Sequence, residues 1–424
     1  MKVLENKISI INNNRKTILI VIFILSFIIR LLLTFNEYQN KGISKWSDSL
    51  YYLKIGECFA KGDFYPSIDG AEYIIVGPMI PLLVAAAQLI FGNPIVPVLI
   101  FNCLIQAFLV FILYKIGTLL VNHICGYIIA LWSTFNFRMI TYCYQTYKEP
   151  LIMLLIPLII LSLLNAYKRN KPLINIIFSS ILFSILIHTD ERFFVYFPVI
   201  ILVIILIIKD KREKIRMTSL WTLILIVSMV PWTIRNYKQH QELVILTPRT
   251  TAITSQFWGH NLTRLHISEE GFISSTDYYK VDNENLLKNN YNIKPRLYGK
   301  YERYWKAFIH YWKPVYFKVT YIQYGFRPVK WSLNHNLNSL LFYGIFLPFY
   351  IFGFIYTFVK KNRLMLTIAI IPFLHSLLHT FLVWPLERYR LPMDFLIVLV
   401  ALWFLNEMRL YFKRRKEMLS LPVY

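Results

Sequence analysis

Negative charge is scarce in this chain. Asp and Glu number 23 against 46 Lys and Arg, and charged residues of both signs make up only 16% of the 424 residues. An ordinary soluble domain is about a quarter charged, so the composition excludes that class. Cysteine is scarce too. Cys58, Cys103, Cys125 and Cys143 form no Cys-x-x-Cys pair, and Cys103 and Cys125 fall in apolar segments. They read as small buried side chains, not as metal or redox chemistry. The chain holds no Gly-x-Ser-x-Gly, Walker A, His-Glu-x-x-His or Rossmann fingerprint, so none of the chemistries those motifs carry is indicated. It has no internal repeat and no low-complexity linker. No small-residue cleavage site follows the first apolar run, which is therefore expected to be a retained helix.

Long apolar runs take the place of these features. The chain is 56% hydrophobic and 17% aromatic, with runs near 17–35, 97–119, 122–138, 150–166, 172–188, 193–208, 217–234, 338–359, 364–384 and 391–408. Their lengths predict an all-α polytopic membrane protein with about ten transmembrane helices. A further piece, VGPMIPLLVAAAQLIFG at 76–92, is short and has two prolines near its start. Basic clusters decide whether it crosses. If it does not, the clusters at 168–171, 209–216, 360–363 and 409–416 all face the cytoplasm with both termini. If it did, the runs at 209–216 and 409–416 would face outward. The expected location is the cell (plasma or inner) membrane. The loop 36–96, the loop around 139–149, the turn 189–192, the segment 235–335 and the turn 385–390 then lie on the outer face. Three regions follow: 1–234 with the first outer loop, a small mixed extracytoplasmic segment at 235–335, and 336–424 with a basic tail. The net charge of +23 sits in short clusters between apolar runs. That distribution points to the lipid bilayer as partner and away from nucleic acid.

Several polar residues stand where the outer face meets the bilayer. Asp48 opens an amphipathic helical pattern in which Leu50, Leu53 and Phe59 share a face. As a plain helix cap, Asp48 or Ser47 would suit. As an acid at the membrane surface, Asp48 is a catalytic candidate. Glu149 stands before Pro150 and a long apolar run. It complements a helix dipole, and it is also a second carboxylate at membrane depth. The stretch His188, Asp190, Glu191, Arg192 reads as a solvated turn, with Arg192 available to an anion. Pro231-Trp232 ends a span where Trp is a common interfacial anchor. Arg235 follows, and Arg249 is close in sequence; guanidinium forks suit phosphate. Arg388 and Arg390 lie outside the bilayer against the positive-inside trend, which favours phosphate binding.

The order of these elements resembles the GT-C fold glycosyltransferases, in the branch of the lipid A aminoarabinose transferase and the protein O-mannosyltransferase-like enzymes. Asp48 with Tyr52 matches their first-loop Asp and the Tyr four residues on. GPMIPLLVAAAQLIFG matches a proline-rich apolar element, Glu149-Pro150 an acid opening a later span, Pro231-Trp232 the approach to a large outer segment, and Arg388 to Pro392 an Arg-Tyr-Arg-x-Pro near the end. Many members carry two adjacent acids in the first loop, where this chain has Asp48-Ser49. The aminoarabinose transferase has a Glu-Lys pair where Val76-Gly77 stands here, which weakens the carry-over of its metal site and its substrate. The resemblance implies a transferase that moves a sugar from a polyprenyl-phosphate donor to an extracytoplasmic acceptor (glycan, lipid or protein), with inversion. It implies Asp48 as base and Glu149 as second carboxylate. Arg388, Arg390, Arg235 and Arg192 would meet the donor phosphate, and Tyr52 and Trp232 the substrate. No metal ligand set is assigned, and a divalent metal is left open as cofactor. A transporter or flippase for a lipid-linked glycan, or a glycan polymerase or ligase, would share the basic groups and the outer loop.

Overall fold

The structure is a computed structural model, described over residues 14–43, 48–66, 76–168, 171–208, 210–241, 243–247, 265–268, 271–274, 305, 308–309, 311–314, 322–323, 327–328, 333–382 and 387–419. Trp46, Ser47 and Arg249 lie outside the described residues. Contacts divide the chain into two units, Met1–Thr250 and Thr251–Tyr424.

The described elements of the first unit are all helical. It holds α1 (Arg15–Lys41), α2 (Asp48–Ala60), α3 (Met79–Phe91), α4 (Ile95–Leu120), α5 (His123–Phe135) and α6 (Phe137–Thr141). These are followed by α7 (Glu149–Tyr167), α8 (Pro172–Thr189), a 3-10 turn (Glu191–Tyr196), α9 (Phe197–Ile207) and α10 (Lys211–His240). Local chemistry explains several ends. Gly42 ends α1 at a positive φ of 64°, its N–H donating to Tyr38 O. Asn122 caps α5 by accepting from Cys125 N at 2.9 Å, and Asp210 caps α10 by accepting from Glu213 N at 2.9 Å. The short helices α2 and α3 lie closely together. A Cβ on Gly56 would stand 2.4 Å from Val84 Cγ1, so a larger residue there would push the pair apart.

Eight helices among the described residues are long and apolar enough to cross a membrane. They coincide with eight of the ten expected spans, and the protein is a multi-pass membrane protein. The other two runs fold as shorter pieces. Residues 122–138 become α5, of 13 residues, and α6, of 5. Residues 193–208 become part of the 3-10 turn and the 11-residue α9. The break after α5 has a visible cause. Asn136 leaves the helical region and accepts from Arg138 N at 3.2 Å, starting a new helix. The last carbonyls of α5 would then be orphaned in an apolar setting. Arg30 of α1, fully buried, takes them: Nη2 donates to Ser133 O at 2.6 Å and Nη1 to Thr134 O at 3.2 Å. The one charge that interrupts the first apolar run thus serves a helix end on a neighbour.

The second unit holds two short antiparallel pairs, β1 (Leu265–Ser268) with β2 (Gly271–Ser274) and β3 (Ile322–Gln323) with β4 (Arg327–Pro328). Most of the remaining segment expected at 235–335 lies outside the described residues, and its first residues continue α10. Then come α11 (Leu333–Ser339), a π turn (Leu340–Gly344), α12 (Phe346–Val359), α13 (Arg363–Leu382), α14 (Glu387–Arg390), a 3-10 turn (Leu391–Met393) and α15 (Asp394–Leu419). Helix α15 packs against α12 and α13. Its segment from Phe395 to Trp403 is buried on all sides, as a continuous apolar run permits.

Candidate functional site

Asp48 is the first residue of α2 and is half-buried. The buried face of this helix is Ser49, Tyr52, Leu53, Ile55, Gly56 and Phe59. The segment between α6 and α7 is held to the head of α2 and to α4 by polar side chains. Thr146 Oγ1 donates to Ser49 O at 2.9 Å, Asn102 Nδ2 to Gln145 O at 3.0 Å, and Gln106 Nε2 to Pro150 O at 2.7 Å. These bonds satisfy a buried irregular segment that would otherwise leave backbone groups unpaired. Thr146 stands three residues before Glu149, which is 3% exposed. Tyr52, expected at the substrate, lies 1% exposed in an apolar cluster with Ile55, Phe59, Val76, Ile80 and Ala85. Its ring therefore fixes α2 against the 76–85 segment.

The turn after α8 departs from expectation. Residues 188–192 read as solvated, yet Asp190 and Glu191 are buried and His188 is only 8% exposed. The reason is a three-residue charge cluster. Asp190 accepts from Arg192 Nε at 2.7 Å and pairs with Lys148 Nζ at 3.1 Å; its second oxygen also meets Arg192 Nη2. Burial alone would raise the Asp190 pKa, but the Arg192 guanidinium and the Lys148 ammonium outweigh it and hold the carboxyl well below the usual range. Arg192, a candidate for the donor phosphate, is thus bound to Asp190. The sequence presents Asp190 only as part of a solvated turn and gives Lys148 no role. The signal available was a pair of acids and bases, 148–149 and 190–192, each flanked by apolar runs long enough to bury them. Gly77 adds a close approach. A Cβ there would lie 2.0 Å from His188 O, so only glycine lets the 76–78 segment lie across the end of α8.

A cavity of about 580 Å³ opens between the end of α2, α3, α8 and α10. Ile181 and Ile224 line it, as do Leu82, Phe59, Trp232 and Arg235. Arg235 is 7% exposed. Its Nε donates to Phe64 O at 2.9 Å and its Nη1 to Asn236 Oδ1 at 2.9 Å, while its plane lies 4.9 Å from the Trp232 ring and 5.4 Å from that of Tyr65. Its Nη2 has no hydrogen-bond partner among the described residues. Trp232 is held by its own bond, Nε1 to Leu246 O at 2.7 Å, and Asn236 donates to Val244 O and Leu246 O, both at 3.0 Å. The Pro-Trp-Thr-Ile-Arg-Asn stretch therefore clamps the returning chain at 244–246 and leaves one guanidinium edge over the cavity. At about 1.5 Å per residue, Asp48 and Phe59 stand about 16 Å apart along α2. Asp48 opens that helix and Phe59, which lines the cavity, is near its end; His188 also lines the cavity, and Asp190, two residues on, pairs with Lys148.

In the second unit the two late arginines differ. Arg390 is fully buried. Its Nε donates to Asp394 Oδ1 at 2.9 Å, its Nη1 to Tyr311 O at 2.8 Å and to Lys313 O at 3.2 Å, and its guanidinium lies 3.5 Å from the Tyr343 ring centroid. Expected as a phosphate ligand, it is committed to holding α14 and α15 against residues 311–313. Arg388 is half-buried, 4.9 Å from the centroid of Tyr389. Nearby, His375 Nε2 donates to Tyr389 O at 2.8 Å and His379 Nδ1 to His375 O at 3.0 Å. Among the described residues no three His, Cys, Asp or Glu side chains are grouped to hold a metal ion.

Residues 76–234 match the family described as dolichyl-phosphate-mannose-protein mannosyltransferase. A comparison with curated proteins finds no match. Among solved structures, the apo crystal structure of the Archaeoglobus fulgidus oligosaccharyltransferase is similar, with a TM-score of 0.55 at 12% identity over 96% of this chain. The chain spans about half the length of that enzyme, 52%. The fold is that of the GT-C glycosyltransferases.

Proposed function

We propose that this protein is a membrane glycosyltransferase that moves a sugar from a polyprenyl-phosphate donor to an extracytoplasmic acceptor, with inversion. The observation that carries the reading is the bond from Thr146 to Ser49, which lays the segment leading to Glu149 beside the first turn of α2, where Asp48 stands. The matched mannosyltransferase family and the oligosaccharyltransferase-like fold support the same reaction class. Asp48 takes the proton of the acceptor hydroxyl. The acceptor oxygen attacks the anomeric carbon, the bond from that carbon to the phosphate oxygen breaks, and its electron pair leaves on the polyprenyl phosphate. A base and fixed cations are what such a step needs. Arg192, linked through Asp190 to Lys148 beside Glu149, is the cation assigned to the leaving phosphate, and Arg388 is a separate candidate for donor binding. The face that carries Asp48 is assigned to the outside of the cell membrane, with the basic 209–216 and 409–416 runs in the cytoplasm.

The test is a purified protein in liposomes with a radiolabelled polyprenyl-phosphate sugar. Release of polyprenyl phosphate coupled to sugar transfer or hydrolysis is expected, and Asp48→Asn lowers it about 100-fold or more. Movement of intact donor between leaflets without any bond cleavage would replace the transferase with a transporter.

A further inference from the structure

An imidazole shares the cavity with Arg235. Of the side chains that line it, only Tyr65, His188 and Arg235 ionise. His188 is 8% exposed, and its Nδ1 lies 2.8 Å from Ser184 O. A carbonyl only accepts, so Nδ1 carries a hydrogen, and Nε2 of the neutral ring is then a bare acceptor. Arg235, stacked on Trp232 and Tyr65, has its Nη2 unpartnered among the described residues. A buried guanidinium edge in that state is costly unless a ligand meets it. Ser184 and Ser228 donate their hydroxyls to Ser180 O and Leu225 O, and Trp232 donates Nε1–H to Leu246 O. Arg235 Nη2 and His188 Nε2 are thus the side-chain nitrogens of the lining left for a ligand. Two links run from this pair toward the carboxylates. Tyr51, three residues after Asp48, is close enough to Arg235 to act on its charge. Asp190, two residues after His188, pairs with Lys148, the neighbour of Glu149. The charges of the transfer step match the two nitrogens. A lipid-phosphate sugar is a phosphate diester with one negative charge, which one guanidinium balances. When the bond to the anomeric carbon breaks, the phosphate becomes a monoester and gains a second charge. The second ionisation of a phosphate monoester falls at about pH 6 and that of imidazole at about 6.5, so a proton passes between them at little cost.

We propose that His188 is the proton donor to the leaving phosphate, acting from Nε2, while Arg235 Nη2 holds the same phosphate. The assignment rests on the transferase reading and adds a catalytic residue to it. Asp48 takes the proton of the acceptor hydroxyl as the acceptor oxygen bonds to the anomeric carbon. The bond from that carbon to the phosphate oxygen breaks, its electron pair stays on the phosphate, and the Nε2 proton of the imidazolium passes to a phosphate oxygen. The products are the glycoside and a singly charged polyprenyl phosphate. A proton returned from Asp48 to His188 through water restores both groups. The charged groups that neighbouring elements bring near this end of α8 are Arg235 of α10, Lys148 and Glu149 at the start of α7, and Glu191 and Arg192 of the 3-10 turn; α3 carries none. Asp190 is taken by Lys148 and Arg192, and Asp63 acts on Arg235.

Calorimetric titration of the detergent-solubilised full chain with farnesyl phosphate tests the contact without turnover. It is run at about pH 8 in buffers of different ionisation enthalpy. Free imidazole and free phosphate monoester both lack the proton there, and the complex shares one, so wild type is expected to take up about one proton per farnesyl phosphate bound. His188→Asn keeps a donor for Ser184 O, and His188→Gln keeps the reach of Nε2. Both are expected to lose the proton uptake. Arg235→Gln is expected to bind farnesyl phosphate about tenfold more weakly or worse and to keep the uptake. With a radiolabelled polyprenyl-phosphate sugar, both His188 variants should lose about 100-fold in kcat, the scale of a removed general acid, with donor KM little changed. Proton uptake that persists in both His188 variants, or is absent from wild type, overturns the proposal. A loss confined to KM overturns it too, since that is a binding role only. Proton uptake by a wild type that cleaves no donor would instead count against the transferase reading.

Discussion

Replacing Asp190 with Asn removes a charge and keeps the shape. Asp190 is fully buried, and its carboxylate is the counter-charge for Lys148, whose side chain is 5% exposed, and for Arg192, 13% exposed. Breaking a buried ion pair by neutralising one partner costs about 3–5 kcal/mol, because a charge is left unpaired in a poor solvent. Arg192 is the less buried cation and can turn toward water, so the expected loss lies near the lower figure, about 3 kcal/mol. The Asp190 pKa is depressed in the folded state, so its contribution is fully present above the ordinary Asp pKa of ~3.9 and is lost progressively as pH falls from there toward the lower folded value. The stability of wild type should therefore show no dependence on this group between neutral pH and about pH 5. Unfolding followed by circular dichroism in a mild detergent titrated with dodecyl sulfate measures the loss. A double variant, Asp190→Asn with Lys148→Met, should recover most of it, since replacing both partners with uncharged groups is often neutral. A single variant within about 1 kcal/mol of wild type, or a double variant as unstable as the single, would refute the claim that this cluster is a dry ion pair.

Three further outcomes follow from the geometry. Asp48→Asn caps a helix about as well as Asp and should fold and insert normally, yet lose about 100-fold or more in turnover; Glu149→Gln should lose less, and steady-state transfer assays read both. Arg388→Ala should weaken donor use at little cost in stability. Arg390→Ala should instead fail mainly in stability, by about 3 kcal/mol or more, because it breaks a buried ion pair with Asp394 inside the second unit, and a melting curve beside an activity assay separates the two. Reporter fusions after residues 214 and 415 should read cytoplasm and one near residue 60 the outside; a cytoplasmic reading at 60 would remove Asp48 from the face where the acceptor is met.

Much of this architecture is written in local pattern. Apolar runs of about twenty residues announce helices because the bilayer demands that length and because a helix satisfies its own backbone. The acid at Asp48 and the Glu149-Pro150 start were legible as helix openings for the same local reason. What the linear order does not carry is which charge faces which. Arg30 reads as an anomaly in a span until α5 stops short beside it and offers carbonyls at Ser133 and Thr134. Asp190 reads as a solvated turn residue until Lys148, more than forty positions earlier, is folded against it. Arg388 and Arg390 are indistinguishable on paper, and only the packing of Asp394 and residues 311–313 separates a half-buried arginine from a structural one. Burial and partner choice depend on contacts between distant segments, and a desolvated charge takes its meaning from the group across from it.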